Sequence, residues 1–132
     1  MRAARSARHL TLDAGALVAY DRDVRAVRER IDRALAAGVE VTVPAGALAQ
    51  VWRDGRRQAM LASLLKEKGV TVVDLTEPAA KASGELCGHT DTRDVIDASV
   101  VVCARNRRPA TVLTSDTADM RRLDPRLDVQ AV

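Results

Sequence analysis

The sequence predicts an α/β fold: a single domain over residues 1–132, with a central, mainly parallel sheet of about five strands and helices on both faces. Three observations predict it. Short β-branched runs alternate with longer stretches of helical periodicity, the pattern of a parallel sheet covered on both sides. No internal repeat, low-complexity tract or Pro/Gly-rich linker interrupts that alternation. A length of 132 residues suits one domain of ordinary size and is too short for two with full cores.

The first strand is Leu10–Asp13. Asp23–Ala37 reads as an amphipathic helix: Val24, Val27, Ile31 and Leu35 recur at steps of three and four, Arg25, Arg28, Glu29 and Asp32 take the other face, and Gly38 closes it. The second strand is Val39–Val43, after which Pro44 fits the first turn of a helix running to about Asp54 and ended by Gly55. A helix over Gln58–Lys68 ends at Gly69 and feeds the third strand, Val70–Leu75. Glu77–Leu86 makes another helix, and Asp91 or Thr92 opens the next, Arg93 to about Arg107. The fourth strand is Ala110–Thr114, Asp116–Leu123 a short helix, and Leu127–Val132 the last strand.

Composition excludes several classes. The chain is 47% apolar but has no Phe, one Tyr (Tyr20) and one Trp (Trp52), so it cannot read nucleic acid through an aromatic stacking platform. Enough aliphatic residues balance the 30% charged fraction to bury a core. No apolar run approaches a membrane span, and the basic stretch Met1–His9 leads into Leu10-Thr11-Leu12-Asp13 instead of an apolar signal core. A cytoplasmic protein without membrane attachment is expected, and Cys87 and Cys103, which match no zinc or redox spacing, read as reduced thiols. Eighteen of the 21 basic residues are Arg, which permits a polyanionic partner; a coding bias toward G and C accounts for the same excess.

The acids are more informative. Asp13 ends a buried strand among small residues, where it serves either as a functional carboxylate or as the cap of a following helix. Asp97 interrupts the apolar run Val95–Ala104 a full turn inside its predicted helix, on the same face as Asp94, which pairs with Asp91 in a capping arrangement. A carboxylate at 97 needs a cation or an Arg partner, and Arg93 is at hand. Asp116 and Asp119 follow the fourth strand, where Ser115 or Asp116 is also a good cap. In parallel sheets function gathers beyond the carboxyl ends of strands, so Asp13, Asp94, Asp97 and Asp116 can converge on one rim. Converging carboxylates without Cys or His suit a hard cation, Mg²⁺ or Mn²⁺, and metal-assisted phosphodiester hydrolysis.

At these residues the chain resembles, essentially end to end, the PIN-domain family and within it the VapC-type toxins. Leu12-Asp13-Ala14-Gly15-Ala16-Leu17 is similar to the family's opening strand and acid, Asp94-Val95-Ile96-Asp97-Ala98 with Val100–Ala104 to its buried helix, and Leu113-Thr114-Ser115-Asp116 to its late strand and acid. The resemblance implies an Mg²⁺- or Mn²⁺-dependent ribonuclease toxin of a type II toxin-antitoxin pair. It would cut tRNA or rRNA, form a homodimer and be neutralised by a cognate antitoxin. Asp13, Asp97 and Asp116 would be catalytic, the same three with Asp94 would hold the metal, and Gln50, Ser115 and Asp119 would stand in a second tier. The chain departs from the family at one place, with Gln50 where a Glu is usual, so that Asp94 or Asp54 compensates or the domain acts as an RNA- or partner-binding module. Arg53, Arg56 and Arg57, with few acids nearby, are the expected contacts to RNA phosphates; Arg22, Arg25 and Arg28 read as a solvated face. A phosphoryl-accepting receiver domain would need a late lysine, and only Lys66, Lys68 and Lys81 exist; a haloacid-dehalogenase-like phosphatase would need Asp where Gly15 stands.

Overall fold

The computed structural model describes residues 8–132; residues 1–7, most of the basic N-terminal stretch, lie outside the described residues. Five strands, all parallel, form one sheet: β1 (His9–Leu12), β2 (Glu40–Pro44), β3 (Val70–Val73), β4 (Ala110–Thr114) and β5 (Asp128–Ala131). Around them run α1 (Ala14–Asp21), α2 (Arg25–Ala36), α3 (Ala45–Val51), α4 (Ala59–Leu65), α5 (Glu77–Thr90), α6 (Val95–Arg105) and α7 (Thr117–Leu123). The expected α/β architecture is therefore the observed one. No helix among the described residues is long and apolar enough to cross a membrane.

The spatial order β3-β2-β1-β4-β5 positions the site. The chain builds outward from β1 through β2 to β3, then returns across β1 to place β4 on its other side. Neighbouring β1 and β4 thus feed helices that diverge, which opens a crevice beyond their carboxyl ends. Leu12 is paired with Leu113 in register, so Asp13 and Thr114 stand side by side at its mouth. Leu10, Leu12, Val41, Val43, Val112 and Leu113 are buried in the middle of the sheet, and α6, buried from Ala98 to Ala104, packs against it. Each fully buried Leu or Val contributes about 1.5–3 kcal/mol, so this aliphatic core forms without Phe.

Several boundaries differ from expectation. The helix of Asp23–Ala37 begins at Arg25, because Asp23 takes the left-handed region (φ 57°) and Val24, the extended cap, is solvent-exposed. Gly38 (φ 79°) closes it as expected. α3 stops at Val51 instead of near Asp54: the Gln58 side chain donates to the Val51 carbonyl (2.7 Å) and accepts from the Arg53 and Asp54 N–H groups, tying off an extended Trp52. α5 runs a turn past Leu86 and ends on Asp91 in the left-handed region (φ 52°). Asp91 therefore terminates one helix and opens none; α6 starts at Val95, capped by Asp94 alone. That late start leaves Val95 52% exposed and puts Asp97 in the first turn, not a full turn inside. β3 ends at Val73, leaving Leu75 exposed, and β5 is trimmed by one residue at each end. Arg25–Glu29 and Arg28–Asp23 ion pairs make the expected solvated face of α2, and both cysteines are free and buried.

Candidate functional site

Three helices start at the crevice, each with an Asp as cap. Asp13 Oδ1 accepts from the Ala16 N–H (2.8 Å) at the head of α1, Asp94 Oδ1 from Asp97 (2.9 Å) at α6, and Asp116 Oδ1 from Asp119 (3.0 Å) at α7. The capping roles open at these positions in the sequence are thus realised.

Thr114 joins two of them. Its hydroxyl donates to Asp13 Oδ2 (2.5 Å) and accepts from the Asp116 N–H (2.9 Å), and the Ser115 N–H also reaches Asp13 Oδ2 (3.3 Å). Asp13 is buried, with both oxygens held, while Asp94, Ser115, Asp116 and Asp119 are exposed. Gly15 is required here, since a Cβ at that position would overlap the Ser115 side chain. Thr114 is the organising residue that the sequence reasoning missed; its signal is a polar side chain ending a buried strand beside an acid.

Asp97 is half-buried and makes no ion pair with Arg93 or any other cation among the described residues. Its carboxyl is pushed up to about 7, first by burial, then by the charges of Asp94 and Asp13, with a hydrogen bond to Asp94 and the charge of Asp119 adding to the effect. Asp119 is also raised, by its hydrogen bond to the Asp116 carboxyl and by that group's charge. These effects tie Asp13, Asp94, Asp97, Asp116 and Asp119 into one electrostatic cluster. Asp94, Asp97 and Asp119 line a pocket of about 230 Å³ that Arg93 and Arg122 also line; Asp13 and Asp116 are outside its lining. No three His, Cys, Asp or Glu side chains among the described residues stand ready to enclose an ion by themselves.

Gln50 is exposed on the last turn of α3, on the face of Gly46, which packs on Ile96 and Ser99 of α6, and it makes no hydrogen bond to the acids. Asp54 is taken up by its own turn, accepting from the Arg56 N–H and lying 3.9 Å from Arg57. Arg53 donates to the Ala49 and Trp52 carbonyls. Arg53, Arg56 and Arg57 are exposed around the α3–α4 connection, and no contact joins them to the acidic cluster.

A family model for the PIN domain matches residues 10–124, from the first residues of β1 to the residue after α7. The chain belongs to the PIN domain family. Solved structures share its fold. VapBC2 from Rickettsia felis, bound to a DNA fragment from its promoter, is similar with a TM-score of 0.69 at 14% identity, over 94% of this chain and 98% of that one. FitAcB from Neisseria gonorrhoeae is similar with a TM-score of 0.61 at 16% identity, over 91% and 95%. FitAB bound to an IR36 DNA fragment gives 0.64 at 15% identity, over 92% and 94%. No curated protein matches the sequence. The match over 115 of 132 positions spans every residue of the acidic cluster, which lies at the switch point of the sheet.

Proposed function

We propose that this PIN domain is an endoribonuclease toxin of a type II toxin-antitoxin pair, hydrolysing RNA phosphodiester bonds with a Mg²⁺ or Mn²⁺ ion held by its clustered Asp residues. The observation that carries the reading is Asp97: a half-buried carboxylate without a cationic partner, facing the charges of Asp94, Asp13 and Asp119. Such a group lacks a counter-ion that a hard cation would supply. The donor set fits that ion, since every candidate ligand is a carboxylate oxygen. A site without three enclosing ligands also fits, because Mg²⁺ is commonly bound by one or two carboxylates and completed by water and substrate phosphate.

In this reading Asp13, Asp94, Asp97 and Asp116 are the carboxylates of the metal site, of which one or two would bind the ion directly and the rest through its waters, and Asp13, Asp97 and Asp116 are the catalytic residues. When bound, the cation supplies a water of lowered pKa and neutralises charge developing on the scissile phosphate. The chain's own contribution is orientation. Thr114 and the Ser115 N–H fix Asp13, and Gln50, Ser115 and Asp119 form a second tier in this reading. Without a cation, burial and the neighbouring carboxylates hold Asp97 at about 7, so it is only partly ionised at neutral pH. Similarity to the complexes VapBC2 and FitAcB supports a cognate antitoxin as partner; the cytoplasmic homodimer, the tRNA or rRNA substrate and the single domain over the whole chain are what the resemblance to VapC-type toxins implies. A second reading, a weakened PIN domain that binds RNA or a partner without cutting, is favoured by the neutral amide of Gln50.

The test is cleavage of total tRNA and rRNA by the purified chain in Mg²⁺ and in chelator. Mg²⁺-dependent cleavage abolished in Asp97→Asn supports the nuclease; RNA binding without cleavage at any Mg²⁺ or Mn²⁺ concentration selects the second reading.

A further inference from the structure

The acidic pocket poses an electrostatic problem for any nuclease working there. An RNA phosphate must come close to Asp94, Asp97 and Asp119, and like charges repel it unless cations draw it in. Two guanidinium-bearing residues line the same pocket. Arg93 belongs to the α5–α6 connection immediately before the Asp94 cap, and Arg122 lies on α7, three residues after Asp119 and so on its face of the helix.

Neither behaves as a structural cation. No ion pair within 4 Å joins Arg93 or Arg122 to a carboxylate among the described residues, although acids surround both. Among the described residues the one hydrogen bond of the Arg122 side chain is a long 3.5 Å contact to the Asp91 carbonyl, and its charge is felt by Asp119 without direct pairing. By contrast, Arg53 is spent on two backbone carbonyls and Arg57 lies near Asp54. Arg56 has no such partner among the described residues but does not line the acidic pocket; the cations with free donors that do are Arg93 and Arg122. Arg suits the task because its planar fork binds phosphate in two-pronged fashion.

We propose that Arg93 and Arg122 are phosphate-positioning residues, which seat the RNA backbone between the α5–α6 connection and α7 so that the scissile bond lies over the carboxylates. This rests on the nuclease reading.

The test measures binding of total tRNA to the full chain in chelator, across a salt series, with Mg²⁺-dependent cleavage followed in parallel. Arg93→Gln and Arg122→Gln should each weaken binding about 5-fold near 0.1 M salt and flatten the log–log salt slope by roughly 0.7–1, as for one lost phosphate contact. Both should raise KM and leave kcat nearly unchanged, and Arg122→Lys should recover most of the slope. A structural role for Arg122 would instead lower Tm and leave the salt slope alone, and that result overturns its assignment. Wild type that binds and cleaves, with both Gln variants unchanged in affinity and slope, overturns the positioning roles and leaves the nuclease standing. Wild type that neither binds nor cleaves removes the nuclease reading and this inference together.

Discussion

Asp97→Asn should make the protein more stable when no divalent cation is present. The substitution keeps the side-chain shape and the backbone N–H that Asp94 caps, and removes only the charge. Asp97 is held at about 7, against 3.8 for the free group, by burial and by Asp94, Asp13 and Asp119. At full strength a displacement of that size corresponds to about 4 kcal/mol. Water reaching a half-buried carboxylate screens a large part of it, so about 1–2 kcal/mol is expected above pH 7. For a chain of this length that is a Tm increase of about 4–8 °C.

The sign follows from proton linkage. Between about pH 4 and 7 folded Asp97 retains a proton that the unfolded chain releases, so wild-type stability from this group is full below pH 4 and is lost as pH rises through 7. The Asn variant lacks this slope. Melts in chelator should therefore show a gap that is larger at pH 8 than at pH 5, and saturating Mg²⁺ should raise wild type far more than the variant. A variant less stable than wild type at pH 8 in chelator, or a gap independent of pH, would refute the reasoning and make Asp97 a structural partner.

Three further outcomes are expected. Asp13→Ala removes the acceptor for Ala16, Thr114 and Ser115 at a buried position and should cost about 2–4 kcal/mol in a thermal or urea melt, whereas Asp13→Asn keeps one of the two acceptor oxygens and should cost less, so that loss of cleavage in an Asn variant still folded at the assay temperature reports chemistry and not unfolding. Burial would raise Asp124, but the Arg126 N–H, the Arg105 hydrogen bond and the charges of Arg105 and Arg108 hold it low. Its stabilising contribution is present at neutral pH and is lost progressively as pH falls below about 4 and through the lowered folded value, so Asp124→Asn, costing about 2–3 kcal/mol at pH 7, should show a smaller penalty in melts at pH 3. Gln50→Glu should bind Mg²⁺ a few-fold tighter in calorimetric titration and melt lower in chelator; identical titrations and melts would place residue 50 outside the metal site.

The architecture was legible because every strand and nearly every helix carries its own local pattern, and acids after the first and fourth β-runs are visible in any parallel-sheet reading. What escaped depends on side chains meeting across the fold. The first turn of α6 was misplaced because Thr90, Asp91, Thr92 and Asp94 are all good boundary residues, and only the left-handed backbone of Asp91 decides which helix it serves. Thr114 could be read as a strand residue, but its bridge between Asp13 and Asp116 needs the β1–β4 register, which places it beside residues a hundred positions away. Arg53, Arg56 and Arg57 look free in sequence because local acids are few; two of them are engaged by their own turn. Arg122 looks like an ordinary basic residue closing a helix, and only the fold turns it toward the pocket.

The spacing of the acids explains how a fold tolerates them. Asp94 with Asp97 and Asp116 with Asp119 are the same local device, an Asp cap accepting the N–H of an Asp three residues later. Each such pair brings two carboxylates together at a helix start, where the partial positive charge of the unpaired N–H groups offsets part of their repulsion. Asp13 repeats the device on α1 with Ala16 in the second place and takes its extra donors from Thr114 and Ser115 instead. Three helix starts therefore hold four of the five acids by ordinary capping geometry or on an exposed face, at little cost to folding. The remaining charge strain falls on Asp97, because α6 is the most buried of the three helices and Asp97 is the only half-buried second member of a pair. Asp119, the equivalent residue on α7, is exposed, and its like-charge neighbour raises it without comparable burial. A fold organised this way concentrates its charge repulsion on one carboxylate, Asp97, whose charge a cation would relieve.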